Sequence, residues 1–371
     1  MCTEFILPQA TGFRISGRTM DFAATFAWQL AAIPVGTTLK AIDTLLPEKQ
    51  AYHWKAKYGF MGIGISLIQS LNTKLCDAMN TEGFSAAALW LPPSRYPKKA
   101  DAPKHAKLIS ALDICAWATS NYVSVETLKA DLQAIQQGTP TSLGEVLAFW
   151  DPLQFSEHSE LNASDELKNL IPIHFQFHDK TGASLVLEFR DGQLSITEHS
   201  DIGVMTNTPF IEWHRTNLEN YLGVTNVETN TRTIIGMQVS KAGNGGGTIG
   251  LSSSALPSDR FLRTVMTLNY SIPWLKQEAN NTAAIAHAMN VIKGIYVTRE
   301  QCIDNSDAIK GDYTQWEIVR DHSHQVFYIA TTASLGFWQV NFADYQLGEN
   351  AQPQFVVISD ATAIPALKMS A

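Results

Sequence analysis

Residues 1–21 read MCTEFILPQATGFRISGRTMD, and this stretch decides how the rest of the chain is read. Cys2 to Leu7 has the apolar content of a strand, Pro8 to Gly12 reads as a turn, and Phe13 to Met20 returns as a second strand. The resulting hairpin brings Arg18 and Asp21 back to the end of the chain where Cys2 sits. Removal of Met1 would leave Cys2 with a thiol and a free α-amine on one residue. An α-amine has a reference pKa of roughly 7.7–8, so it can accept a proton near neutral pH with little tuning. A thiol that attacks an amide needs such a base or a depressed pKa. Arg18 is placed to hold a thiolate and lower the amine pKa, and Asp21 to accept a hydrogen bond from the amine and orient it. Taken singly, each residue also has an ordinary reading: Arg on a strand as a solvated charge, Asp after a strand as a turn former.

The chain has 371 residues, a formal net charge of −8, 45% hydrophobic and 17% charged residues. That length allows two domains or one large sandwich. No linker, repeat or low-complexity tract divides it, so a single domain over residues 1–371 is expected. The acidic balance and the lack of a compact basic stripe argue against a nucleic-acid partner. The four cysteines, Cys2, Cys76, Cys115 and Cys302, are far apart and form no CxxC pair, and Cys115 reads as a packed thiol on a helix. No apolar run reaches 18 residues, so no membrane helix is expected. No targeting segment is visible, so the chain as written reads as cytoplasmic. An exported, periplasmic form would carry its signal directly before Cys2.

Strands are expected over Ile33 to Lys40 and Tyr52 to Leu67, the latter with Gly59, Gly62 and Gly64 for close backbone approach. Asp77 to Gly83 reads as a turn, followed by the buried strand Phe84 to Leu91. Helices are expected over Lys104 to Thr119 and over Val125 to Ile135 behind the N-cap Ser124. Gln136 to Asn169 reads as a long loop. A meander follows at Ile173–Phe177, Ser184–Phe189 and Leu194–Glu198, the last two joined by the tight turn Asp191-Gly192. Further helices are placed at Phe210–Tyr221, Asp259–Leu268 and Gln277–Val291, and Gly243 to Gly247 is a flexible loop without the ending of a phosphate-binding loop. Strands return at Trp316–Arg320, Gln325–Ala330, Phe337–Phe342 and Gln354–Ile358. Strands, then helices, then strands, without βαβ alternation, predict an α+β fold. His174 and His178 are four apart but on a strand. His322 and His324 alternate on a strand without a carboxylate cluster. Neither pair is expected to bind metal, and no cofactor is implied.

Met-Cys-Thr with Gly17-Arg18-Thr19-Met20-Asp21 resembles the start of the choloylglycine hydrolase family, which contains conjugated bile salt hydrolases and penicillin V acylases. The resemblance continues in order through Trp54–Gly59 (WKAKYG), Asp77–Gly83 (DAMNTEG, with Ala78 in place of the usual Gly), Met205–Pro209 (MTNTP), Ser258–Arg263 (SDRFLR) and Thr314–Trp316 (TQW). It covers essentially the whole chain. It implies the four-layer αββα sandwich of N-terminal-nucleophile hydrolases, with Cys2 as nucleophile and its own amine as base. Arg18 and Asp21 would polarise and orient it. Asn207 and the backbone N–H of Trp90 would form the oxyanion hole, with Arg260 as an electrostatic support.

Trp90, in Leu89-Trp90-Leu91-Pro92, resembles the Gram-negative and cyanobacterial branch, which is associated with penicillin V and N-acyl homoserine lactones. Its indole face suits a phenoxy group or an alkyl chain, and Phe22 and Phe26 would extend that wall; packing in the core is the plain alternative for these rings. A small acylated amine is thus the expected partner, and the expected activity is a penicillin V or acyl-homoserine-lactone acylase. Conjugated bile salt hydrolysis and acyl transfer to a second amine are the alternatives, as is a non-catalytic binding role if Met1 stays on. The resemblance also implies a homotetramer, although the segment between Tyr221 and Ser258 is short for the subunit-locking loop of the bile-salt branch.

Overall fold

The computed structural model describes residues 1–41, 51–65, 75–97, 101–150, 172–303, 311–334 and 336–358. The opening hairpin forms as β1 (Cys2–Ile6) and β2 (Ile15–Phe22), with Cys2 opposite Met20 and Glu4 opposite Arg18. The chain continues through β3 (Trp28–Ile33), β4 (Thr38–Lys40), β5 (His53–Lys55), β6 (Phe60–Ile65), β7 (Leu75–Asn80), β8 (Ser85–Trp90) and β9 (Lys107–Ser110). Then come α1 (Ile114–Asn121), α2 (Val125–Gln137), β10 (Leu147–Trp150), β11 (Ile173–His178), β12 (Ser184–Arg190), β13 (Gln193–Glu198), β14 (Val204–Met205) and α3 (Ile211–Asn217). The remainder is β15 (Thr231–Ile234), β16 (Met237–Ser240), α4 (Pro257–Gln277), α5 (Asn281–Lys293), β17 (Cys302–Ile303), β18 (Gly311–Asp321), β19 (Val326–Thr331), β20 (Trp338–Asn341) and β21 (Gln354–Val357).

Two large sheets result. One has the order β14-β1-β2-β18-β19-β20, with β17 paired to β18; the other runs β13-β12-β11-β8-β7-β6-β3-β21. Helices α4 and α5 pack on β1, β2 and β18 of the first sheet, and α1 and α2 pack on the second. Between the sheets, Trp28, Met61, Ile63 and Met79 meet Trp316, Ile318, Phe327 and Ile329. The layering is therefore the expected αββα. Strands covered on both faces lose the alternation of a half-exposed sheet, which is why all five residues of β1 are buried. Burial of each large side chain in such a layer contributes about 1.5–3 kcal/mol.

Two glycines set the spacing of the layers. A side chain at Gly17 would collide with the Phe5 ring and reach Ile292 of α5, so glycine lets the helix settle on β2. A side chain at Gly62 would strike the Asp77 carbonyl of the neighbouring strand, which accounts for glycine at that position of β6.

Several expectations need correction. Lys107–Ser110 is a strand, not the first turn of a helix; it pairs in parallel with β10, which lies in the segment read as loop. Leu108 consequently packs with Ala148 and Trp150, away from the core that holds Cys115. Asp77–Asn80 is the end of β7, and only residues 81–83 turn. The strand read from Ile33 ends there, at a turn before Thr38, while the strand over Trp28–Ile33 went unread. The strand read from Tyr52 is split into β5 and β6, and residues 66–67 lie outside the described residues, as do 151–169. Helix α4 is longer than expected and runs through Pro273 to Gln277, and α5 starts at Asn281 behind an Asn280 cap. His322 and His324 lie in the β18–β19 turn.

Residues 231–240 fold as an exposed hairpin, β15–β16, that pairs with neither large sheet. Ile234, Ile235, Met237 and Val239 stand on it in solvent. No helix among the described residues is long and apolar enough to cross a membrane.

Candidate active site

Strand β1 begins at Cys2 and is flanked by β2 and β14, so the residue sits in the interior of a sheet and is 2% exposed. Met1 precedes it here, so the Cys2 nitrogen is a peptide N–H. That N–H donates to Asn207 Oδ1 at 2.8 Å. Cys2 Sγ lies 4.0 Å from Arg18 Nη2 and 3.6 Å from Met20 Sδ. The Cys2 carbonyl accepts from Arg260 Nη1 at 2.6 Å, and Arg260 Nη2 donates to Asn207 Oδ1 at 2.7 Å. Residues far apart in sequence therefore converge on one thiol: Arg18 from β2, Asn207 from just after β14, and Arg260 from the first turn of α4.

The Asn207 amide is oriented unambiguously, because its oxygen takes two donors while Nδ2 donates to the Trp90 carbonyl at 2.6 Å. Leu91 N–H bonds to the Pro172 carbonyl, which puts Leu91 in a hydrogen-bonded pair with the β11 side. Trp90 is one residue off that register, so its N–H and C=O both face away from β11, towards the edge Asn207 occupies. Asn207 is itself fixed from behind. His214 Nε2 lies 3.0 Å from its carbonyl, and His174 bridges Glu188 and the Thr206 carbonyl, at 3.3 and 2.9 Å. Burial pushes the His214 ring down to about 4, which keeps it neutral. His178 Nε2, on the same strand, lies 3.2 Å from the buried Glu4 carboxylate.

Asp21 lies on β2 with its carboxylate wholly buried. Oδ1 accepts from Thr314 Oγ1 at 2.7 Å, Oδ2 from Thr19 Oγ1 at 3.1 Å, and Arg260 Nη1 is 3.9 Å away. Burial raises its pKa against the pull of Arg260 and the Met1 ammonium. The carboxylate is near Cys2 but does not bond to its nitrogen while Met1 is attached.

Arg18 is held by a buried charge cluster that the sequence reading missed. Its Nη1 donates to Asp77 at 3.1 Å and to the Cys76 carbonyl, and Nη2 to the Ala88 carbonyl. Arg320 Nε donates to Asp77 at 2.9 Å, and Arg320 Nη1 to Glu4 at 2.8 Å and Ser16 at 2.7 Å. Burial alone would lower the Arg18 pKa, but the acidic groups around it, Asp77 among them, outweigh it and push it up. No local signal marks this cluster in the sequence: Arg18 lies between Gly17 and Thr19 and Arg320 beside Asp321, and only the facing sheet pairs them.

Trp90, Phe22 and Phe26 are half-buried and form a continuous wall. Phe22 meets Trp90 edge-on at 5.5 Å between centroids and stacks on Phe26 at 5.7 Å. Gln315 fixes the end of β2 and the loop after it, which carry Phe22 and Phe26: its Nε2 donates to the Phe22 and Ala24 carbonyls at 2.9 and 2.7 Å, and its Oε1 accepts from Trp28 Nε1 at 2.9 Å.

The profile of linear amide C–N hydrolases, choloylglycine hydrolase family, matches residues 2–357. The chain belongs to the choloylglycine hydrolase family. This family member is 24% identical over 305 residues to a conjugated bile acid hydrolase of Lactobacillus gasseri, covering 82% of this chain and 84% of that one. It is also 24% identical over 357 residues to a penicillin V acylase of Pectobacterium atrosepticum, covering 92% and 82%. A solved variant of the conjugated bile acid hydrolase of Clostridium perfringens superposes with a TM-score of 0.80 at 21% identity, over 99% of this chain and 100% of that one. A solved penicillin V acylase from Agrobacterium tumefaciens gives 0.70 at 19% identity, over 95% and 90%. The fold is thus that of the family, and the choloylglycine-family chain is an amidohydrolase of linear amides.

Proposed function

We propose that the chain hydrolyses N-acylated small amines, with penicillin V and N-acyl homoserine lactones as the substrate class, through Cys2 as an N-terminal nucleophile. The observation that carries this reading is the Cys2 thiol beside a buried guanidinium, with its own nitrogen against Asn207. Loss of Met1 turns that nitrogen into an amine. The amine takes the thiol proton, and Sγ attacks the acyl carbonyl carbon. The oxyanion is met by the second N–H of Asn207 Nδ2 and by the Trp90 N–H. Collapse breaks the C–N bond, and the Cys2 ammonium gives its proton to the leaving nitrogen. Water then attacks the thioester, with the Cys2 amine as base, and releases the acid. Arg18 stabilises the thiolate, Asp21 lies close enough to orient the freed amine, and Arg260 holds the Cys2 carbonyl and Asn207 in place. The wall of Trp90, Phe22 and Phe26 suits a flat phenoxy group or an extended acyl chain.

Conjugated bile salt hydrolysis is the second reading, supported by the similarity to the Lactobacillus and Clostridium enzymes. Intact mass coupled to a panel of penicillin V, a long-chain acyl homoserine lactone and glycocholate separates the two. Faster turnover of glycocholate than of the other two overturns the first reading. We further read the apolar β15–β16 hairpin as an arm that meets a second copy of the chain.

A further inference from the structure

The ammonium of Met1 lies part-buried, one residue from Cys2. It donates to the Asp21 carbonyl and, at 3.2 Å, to Asp312 Oδ2, with side-chain exposures of 19% for Met1 and 29% for Asp312. The Met1 carbonyl accepts from the Asp21 N–H at 2.8 Å. Asp312 stands on β18 opposite Cys302 of β17, two residues before the Thr314 that bonds Asp21. A corner that receives an amine, one residue from the thiol, is therefore built into the site.

We propose that Asp312 forms the subsite for the leaving amine, favouring amides whose amine half is neutral or cationic and disfavouring those that carry a carboxylate or sulfonate. This rests on the reading of Cys2 as nucleophile and its amine as proton carrier. In that chemistry the leaving nitrogen comes within hydrogen-bond reach of the Cys2 nitrogen to collect its proton. Substituents on the leaving nitrogen then extend into the space the Met1 backbone fills. The Met1 ammonium is two carbons from the Cys2 nitrogen, about as far as a leaving nitrogen hydrogen-bonded to it would stand, so a carboxylate on the first carbon of a leaving amine extends from there towards Asp312. In that corner it meets the Asp312 carboxylate at close range, half-shielded from water, where like charges repel. Of the cations near this corner, Arg260 is turned inward, fully buried and committed to the Ala255 and Cys2 carbonyls, Thr3 and Asn207, and Arg299 is stacked on the Tyr313 ring at 3.9 Å. Within the proposed substrate class this singles out amides of a neutral lactone amine over those of an amino acid or a β-lactam acid.

The test uses three phenoxyacetyl amides that differ only in the amine: glycine, glycinamide and ethylenediamine. Met1 removal is verified by intact mass, and kcat/KM is measured at low ionic strength for the wild type, Asp312→Asn and Asp312→Glu. The expected result is a wild-type order of cationic, then neutral, then anionic. Asp312→Asn should raise the anionic-to-neutral ratio about tenfold, and Asp312→Glu should keep it low. A ratio that is the same in wild type and Asp312→Asn overturns the proposal. Binding of the same amides to Cys2→Ala, with and without Asp312→Asn, is followed by calorimetry. If no amide is turned over, the nucleophile reading fails, while the charge order in binding still decides for or against Asp312.

Discussion

Arg18 faces two ways: Nη2 lies 4.0 Å from Cys2 Sγ, and Nη1 holds Asp77 at 3.1 Å. The thiol therefore senses a cation whose position is set by a carboxylate on the opposite sheet. Arg18→Leu should slow alkylation of Cys2 by iodoacetamide at pH 7 by about tenfold or more. It should also destabilise the fold by about 1.5–3 kcal/mol, because Asp77 keeps its burial and loses one of its two arginine partners, Arg320 remaining. Alkylation rates and urea unfolding read the two effects separately; an unchanged alkylation rate removes Arg18 from the thiol's environment.

Cys2→Ala should abolish hydrolysis while leaving the circular dichroism spectrum intact. Asn207→Ala should lower kcat roughly 10²–10³-fold with a smaller change in KM, as loss of one oxyanion donor does. If kcat stays within a few-fold, the Asn207 amide does not meet the oxyanion.

Gln315 ties the Phe22 and Ala24 carbonyls to Trp28. Gln315→Leu should loosen the aromatic wall and raise KM for phenoxyacetyl and long-chain acyl substrates about tenfold, while a small acetyl amide changes little. Trp90→Asn should shift preference away from the same substrates. Equal relative rates across the acyl panel in both variants argue against the wall as the acyl site.

Burial pushes His199, His214 and His322 each down to about 4 from the ordinary 6.5. The unfolded chain takes up protons on these rings below pH 6.5 while the native chain does not. Their contribution is therefore present above pH 6.5 and lost as pH falls towards 4, by up to about 3 kcal/mol per ring. Urea midpoints between pH 7.5 and 4.5 should fall steeply, and less steeply in His322→Gln. A flat profile contradicts the neutral burial of these rings.

Ile235→Asp with Met237→Glu on the β15–β16 hairpin should convert an oligomer to monomers in light scattering and leave the unfolding midpoint of the monomer unchanged. A wild-type protein that is already monomeric rules out the arm.

The hairpin at the start of the chain was legible because its signals are local: apolar runs, a Pro–Gly turn and a fixed register that carries Arg18 and Asp21 to Cys2. Asn207 and Arg260 were reached only through resemblance, since their approach depends on β14 and α4 docking across the sheet. Glu4, Asp77 and Arg320 went unread because a charge on a strand is ordinarily solvated, and only the facing sheet turns it into a buried partner. Strand β9 was mistaken for helix for a similar reason. Its pairing partner β10 is offset from it by 40 residues, Lys107 facing Leu147, and short apolar runs do not distinguish the two structures without that partner.

Strand β2 takes its second neighbour from β18, whose first residue is Gly311. During synthesis at about 5–20 residues per second, roughly 15–60 s pass between the emergence of Cys2 and that of β18. Until then the sheet that encloses the N-terminus lacks its centre, and the Met1–Cys2 bond lies open on the nascent chain. If Met1 is lost as proposed, the order of the strands leaves that bond accessible until the last sixth of the chain arrives.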